Sequence, residues 1–252
     1  MRKIALIPVY NEELTLLRVL DAVGPRVDRL LVVDDGSVDR SLELARDWAR
    51  RNTHTRVLSL QRNQGMSAAL REGFRTVVDL LRRGELDADD LLFTLDADGQ
   101  HDPGRIDALA RYIVERRLDV ALTRRDFSAY PRYKRLGNRW MSLWGSIWSG
   151  FPYEDIESGF RGLRLRVLPR LLEYYKGHRY SCAQEIAILT ARLGFHVDNT
   201  FPAPVALYRS QTRLRDVAIN AAFGFWAFAR WALDLKVAPL PQRAQAVSPE
   251  SL

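Results

Sequence analysis

Cysteine is almost missing from this 252-residue chain, with Cys182 standing alone. That excludes a disulfide scaffold and any cysteine-based zinc cluster, and it fits a reducing compartment. The four histidines are too scattered for a His-based metal centre. No uninterrupted apolar run reaches the roughly 20 residues of a spanning helix. Residues 1–210 carry no Gly-Pro-Ser linker, so a single domain is expected there. The start, Met1-Arg2-Lys3-Ile4, leads straight into an apolar run and reads as lacking a signal peptide. Three nucleotide and hydrolase signatures are also absent: the Gly-x-x-x-x-Gly-Lys-Ser/Thr loop, a Gly-x-Gly-x-x-Gly after the first strand, and the Gly-x-Ser-x-Gly elbow. These absences weigh against a P-loop NTPase, a dinucleotide dehydrogenase and a serine hydrolase.

The chain does carry a basic surplus, with a net charge of +7 and a pI near 9.8. Such a surplus favours anionic partners. No nucleic-acid-binding module accompanies it, so nucleic acid is not an expected partner. Arginines crowd the stretch from Arg124 to Arg215, downstream of the acidic residues discussed below.

Short β-branched or leucine-rich runs alternate with helical patterns. The spacing predicts strands at 3–9, 29–33, 56–60, 91–95 and 119–123, with helices at 13–23, 39–51, 66–83 and 103–117 between them. Nearly continuous apolar strands separated by helices imply a mostly parallel sheet covered on both faces, an α/β fold. Ligands of such sheets bind beyond the carboxyl ends of the strands. Those ends read Pro8-Val9-Tyr10-Asn11-Glu12, Asp34-Asp35-Gly36-Ser37, Gln61-Arg62-Asn63-Gln64-Gly65 and Asp96-Ala97-Asp98-Gly99-Gln100-His101-Asp102-Pro103. The last places three carboxylates within seven residues. Taken alone, it reads equally as an acidic turn or as a site where a divalent cation bound to phosphates offsets the repulsion.

Together these segments resemble the family 2 glycosyltransferases of the GT-A fold. Gln100-His101-Asp102-Pro103 and Ser158-Gly159-Phe160-Arg161 narrow the resemblance to the polyprenyl-phosphate branch, of the dolichol-phosphate mannose synthase type. The resemblance implies a GT-A nucleotide-sugar domain over residues 1–215, in which Pro8, Tyr10, Glu12, Val33 and Asp35 form the nucleoside pocket. It further implies that Asp96, Ala97 and Asp98 meet the donor, with Asp96, Asp98 and Gln100 around Mg2+ or Mn2+. Arg124 would touch donor phosphate, and Arg135 and Arg161 the acceptor phosphate. Gln184-Glu185 falls where the family has an acidic helix position facing the sugar. Arg209 and Arg213 correspond to a loop over the diphosphate, with Arg213 in place of a lysine and Gln211 in place of a glycine.

The resemblance therefore implies an inverting, metal-dependent transfer of mannose or glucose from a nucleotide sugar, GDP-mannose or UDP-glucose, to polyprenyl phosphate. Asp98, Arg124, Arg161 and Asp155 are the expected catalytic residues. A hydroxyl acceptor must lose a proton, whereas a phosphate is already ionised and needs cations to place it. The basic surplus favours phosphate. The alternative is a soluble saccharide acceptor with Asp155 as base, and a remoter one is a non-catalytic sugar-nucleotide-binding protein. Residues 216–236, aromatic-rich but interrupted by Asn220, Arg230 and Asp234, read as an amphipathic helix that packs on the domain or lies in a membrane interface. Residues 237–252 read as a disordered tail. Peripheral attachment at the cytoplasmic membrane face follows from this reading.

Overall fold

The computed structural model describes residues 1–128, 130–203 and 214–237. Arg209, Arg213 and nearly all of the expected tail lie outside them. The parallel strands β1 (Lys3–Val9), β2 (Arg29–Asp34), β3 (Thr55–Ser59) and β4 (Leu91–Thr94) form where the apolar runs lie. Helices α1 (Leu16–Val23), α2 (Ser41–Arg51) and α3 (Met66–Arg82) connect them. The pleat divides the core: Leu6, Leu31, Val33 and Leu92 pack with α3 on one face. Ala5, Ile7, Val32 and Phe93 pack with α1 and α2 on the other. Apolar residues at nearly every position of β1, β2 and β4 are what two covered faces require.

After α4 (Ile106–Glu115) and the short β5 (Val120–Leu122) the pattern changes. Helix α5 (Arg132–Ser149) leads to β6 (Arg161–Arg164), which inserts antiparallel between β4 and β5. The chain then forms α6 (Val167–Leu172), α7 (Cys182–Arg192), the edge strand β7 (Val197–Asp198) and α8 (Leu214–Ala232). The sheet order is β3-β2-β1-β4-β6-β5-β7. Apolar periodicity does not reveal β6, because Arg161-Gly162-Leu163-Arg164 offers one large apolar residue. Its Gly162 lies under Ile113, where a Cβ would come within 2.5 Å.

The order of connection reverses between β1 and β4, and a crevice opens at their carboxyl ends. Glu12 Oε2 accepts from the Thr15 hydroxyl at 2.9 Å, and the same hydroxyl lies 2.8 Å from the Ala97 carbonyl. One threonine thus ties the β1 and β4 ends together. Helix α8 rests on α5 and α7. Trp144 donates to the Ala221 carbonyl at 2.9 Å, Trp148 meets Phe225 and Phe228, and Arg230 reaches Glu185 at 2.6 Å. Among the described residues no helix is long and apolar enough to cross a membrane.

Candidate active site

The four polar strand ends converge on one edge of the sheet. Beyond β1, Tyr10 projects with its ring 40% exposed, a free aromatic face. Asn11 takes a positive φ, and its amide and side chain bond Ser37 and Val38. Beyond β2, Asp34 accepts from the Gly36 and Ser37 amides and from Ser59. Asp35, 2% exposed, accepts from the Gln64 and Gly65 amides at 2.8 and 2.7 Å. Desolvation pushes its pKa up despite those bonds. Gly36 sits at φ 70° against the Arg62 backbone, where any Cβ would overlap, so the turn requires glycine.

Two residues expected to meet the donor, Val33 in the nucleoside pocket and Ala97 beside Asp96, have their side chains in the core. Val33 is fully buried among Leu6, Leu31 and Leu70 beneath α3, because its β2 position faces that side of the pleat. Ala97 is buried on the opposite face and contributes its carbonyl to Thr15. Pro8, also buried, shapes the end of β1.

Beyond β4 the acidic segment turns back on itself. Asp96 Oδ2 lies 3.2 Å from His101 Nε2. Burial works against the Asp96 charge, but the His101 bond and the charges of Arg161 and Arg125 outweigh it and leave the pKa lowered. Asp98 accepts from the Gln100 amide at 3.0 Å and from Gln100 Nε2 at 2.6 Å. Desolvation, then the Asp96 charge, raises its pKa. Glu12 is raised too, by desolvation and by the charges of Asp98 and Asp96.

The donor set suits a hard cation. Asp96 and Asp98 present carboxylate oxygens, and Gln100 keeps its carbonyl oxygen free because its Nε2 makes the bond to Asp98. Among the described residues no three His, Cys, Asp or Glu side chains converge to hold an ion unaided. The remaining ligands would come from substrate phosphate and water, the usual arrangement for Mg2+. Gly159 makes room for this carboxylate, since a Cβ there would stand 2.2 Å from Asp96 Oδ2. Gly159→Ala is accordingly expected to displace Asp96 and to weaken metal-dependent nucleotide binding at least about tenfold, a loss of roughly 1.4 kcal/mol. Calorimetric titration of a nucleoside diphosphate with Mn2+ tests this, and unchanged affinity would refute it.

Basic residues face this acidic edge. Arg161, at the start of β6, is 2% exposed, and its Nε is buried without a partner. It makes no hydrogen bond or ion pair to a described residue, although Asp96 and Glu157 lie within electrostatic reach. A buried cation in that state is primed for an anion. Arg124 follows β5, half-exposed and paired with Glu154. Beside it opens a cavity of about 460 Å3 lined by Arg124, Arg125, Asp126, Phe127, Glu154 and Pro202. Arg135 is exposed on the first turn of α5.

Asp155 is 0% exposed. Its oxygens accept from Arg125 Nε and Nη2, both at 2.8 Å, and from the Arg125 and Glu157 amides. Asp155 thus holds Arg125, and both of its oxygens are engaged by the protein itself. Arg125 was not legible as a site residue. Its only sequence signal is the Arg124-Arg125 doublet, yet it also bonds Asn138 on α5 at 3.1 Å and covers Phe127. Asn199, 2% exposed, fixes the same loop through the Glu154 and Asp155 amides. Glu157 is partly buried beside Asp155. Desolvation raises its pKa, and Gln184 Nε2 donates to it at 2.8 Å. Glu185 does not face the sugar position. Fully buried, it accepts from the Lys176 amide, the Ser181 hydroxyl and Arg230.

Comparison with known proteins matches the family model Glycosyl transferase family 2 to residues 4–179. An undecaprenyl-phosphate mannosyltransferase of Micrococcus luteus is 32% identical over 77% of this chain and 79% of its own. A UDP-N-acetylglucosamine–dolichyl-phosphate N-acetylglucosaminyltransferase of Methanococcus voltae is 25% identical over 89% and 92%. Among solved structures, the glucosyl-3-phosphoglycerate synthase of Mycobacterium tuberculosis with Mn2+, UDP-glucose and phosphoglyceric acid superposes with a TM-score of 0.65. It is 18% identical and covers 92% of this chain and 80% of its own.

Proposed function

The chain belongs to glycosyltransferase family 2 and has the GT-A fold, and from that premise we propose that it is an inverting, metal-dependent transferase moving a hexose from a nucleotide sugar to a polyprenyl phosphate. The observation that carries the choice of acceptor is the buried Arg161, whose Nε has no partner among the described residues, taken with the cavity lined by Arg124 and Arg125 and an Asp155 whose oxygens are already taken. Cations are on hand to place a phosphate, and the carboxylate expected to deprotonate a hydroxyl is not. The polyprenyl-phosphate acceptors in the names of the Micrococcus and Methanococcus relatives support the same reading.

In this reading Tyr10 stacks on the base, and Glu12 and Asp35 border the nucleoside. Asp96, Asp98 and Gln100 would hold Mg2+ or Mn2+, which neutralises the leaving diphosphate. Arg209 and Arg213 are proposed to cover that diphosphate. With Arg124 on the donor phosphate, Arg161 and Arg135 orient the acceptor so that one of its oxygens bonds to the anomeric carbon as the carbon–oxygen bond to the diphosphate breaks. The anomeric configuration inverts. No proton is transferred, because the acceptor oxygen is already anionic.

A saccharide hydroxyl as acceptor is the second reading; there we would take Glu157 rather than Asp155 as the base, since its raised pKa suits proton abstraction. A panel of GDP-mannose, UDP-glucose and UDP-N-acetylglucosamine with polyprenyl phosphate and Mn2+ or Mg2+ decides between them. Glycolipid from one donor, with Glu157→Gln altering the rate less than about tenfold, is the expected result. A loss of 10²-fold or more, as removal of a general base produces, favours the hydroxyl acceptor, and no glycolipid from any donor overturns the phosphate reading.

A further inference from the structure

Helix α5 presents an apolar stripe that no described element covers. Tyr133 is 72% exposed, Leu136 58%, Trp140 63%, Leu143 49% and Ile147 56%. They recur at i, i+3, i+7, i+10 and i+14, one face of a helix. The opposite face, with Met141, Ser142, Gly145 and Ser149, is buried. Five large apolar side chains aligned on the outside of a globular domain indicate something that covers them.

The charges on the same helix identify what that is. Arg132, Lys134, Arg135 and Arg139 are its only ionisable groups apart from Tyr133, and α5 contains no Asp or Glu. Arg132, Arg135 and Arg139 fall along one flank of the stripe by their helical spacing. A cationic flank beside a stripe bearing Trp and Tyr is the composition of helices that lie in the plane of an anionic bilayer surface. Helix α8 extends the face, with Trp226 54% exposed and Phe225, 37% exposed, seated on Trp148 of α5. At about 1.5 Å per residue the 18 residues of α5 run for roughly 27 Å.

We propose that α5, with the Phe225–Trp226 edge of α8, is the surface by which this protein docks on an anionic lipid bilayer. Residues 216–236 alone drew attention from the sequence, whereas the larger exposed apolar surface belongs to α5. The inference rests on the lipid-phosphate reading above and adds to it where the lipid meets the enzyme. Arg125 bonds Asn138 on α5, so the docking helix is fastened to the arginine-lined cavity. Arg135, one turn before Asn138, stands at the depth of lipid phosphates when the stripe is immersed.

Flotation of the full chain with phosphatidylglycerol vesicles and with phosphatidylcholine vesicles tests the proposal, with no donor or acceptor present. The wild type is expected to float with the anionic vesicles alone. Leu136→Glu/Trp140→Glu, two exposed positions outside the proposed site, should lower the bound fraction at least about tenfold while transfer to a short-chain, water-soluble polyprenyl phosphate in detergent stays at the wild-type rate. Tryptophan quenching by brominated phosphatidylglycerol supplies a reading free of folding concerns, since Trp140→Phe should remove about half of it if Trp140 is an interfacial anchor. Undiminished flotation of the double variant, or quenching untouched by Trp140→Phe, overturns the proposal. So does a wild type that ignores vesicles but is a dimer, which the double variant splits. A protein that floats as expected yet makes no glycolipid would overturn the acceptor reading and leave the docking face standing.

Discussion

Asp98→Ala is expected to lower kcat/KM by about 10²–10³-fold, the scale on which removal of one electrostatic stabiliser of the transition state acts. Stability should stay within about 1 kcal/mol of the parent. The two expectations separate because of where Asp98 bonds. Among the described residues its hydrogen bonds run to Gln100 within its own turn. Desolvation and the neighbouring Asp96 charge both work against its ionised form. Deleting the carboxylate therefore removes an unfavourable group from the metal-free protein and a ligand from the loaded one. Steady-state rates at saturating Mn2+, with calorimetric titration of nucleoside diphosphate with and without the cation, measure both sides. Full activity in the variant, or nucleotide affinity indifferent to the cation in the parent, would remove the acidic segment from the chemistry.

Asp155→Ala should act in the opposite manner, through the fold. Asp155 is completely buried, and Arg125 delivers two guanidinium bonds and an amide bond to it. Removing it leaves a largely buried guanidinium with Asn138 as its remaining hydrogen-bond partner among the described residues. Breaking a buried pair from one side costs about 3–5 kcal/mol, which for a chain of this size lowers Tm by roughly 2–4 °C per kcal/mol. Asp155→Asn keeps some of the bonds and should retain transfer per folded molecule. Calorimetry beside activity corrected for the folded fraction tells the roles apart. An Asp155→Asn protein of parental Tm that has lost turnover and the acidic limb of its pH–rate profile would restore Asp155 as a base.

The strands of the first half were legible because β1, β2 and β4 are buried on both faces and so must be apolar at nearly every position. The acidic segment was legible because turn residues leave a strand end polar, and three carboxylates exceed what a turn needs. Strand β6 was not, since a strand of four residues whose outer two are arginines carries no period that a window can detect. Val33 was expected in the pocket because the resemblance implies it, whereas its side chain points into the core under α3. Glu185 was read as facing the sugar, whereas α7 turns it inward to Arg230 of α8, a partner 45 residues away.

What the sequence determined by itself was the layered α/β fold, the polar edge at the ends of its strands, and the crowding of Asp96 and Asp98 on that edge. Each of these follows from short-range patterns: period, turn residues and adjacent charges. Only the tertiary structure decided how the cationic half is used. Whether an arginine is bound to a carboxylate, as Arg125 is, or buried with its Nε unpartnered among the described residues, as Arg161 is, depends on neighbours brought from distant parts of the chain. The same holds for α5. Its alternating apolar and basic residues suit a buried helix as well as a surface one, and the packing of α7 and α8 against one side left the other side exposed.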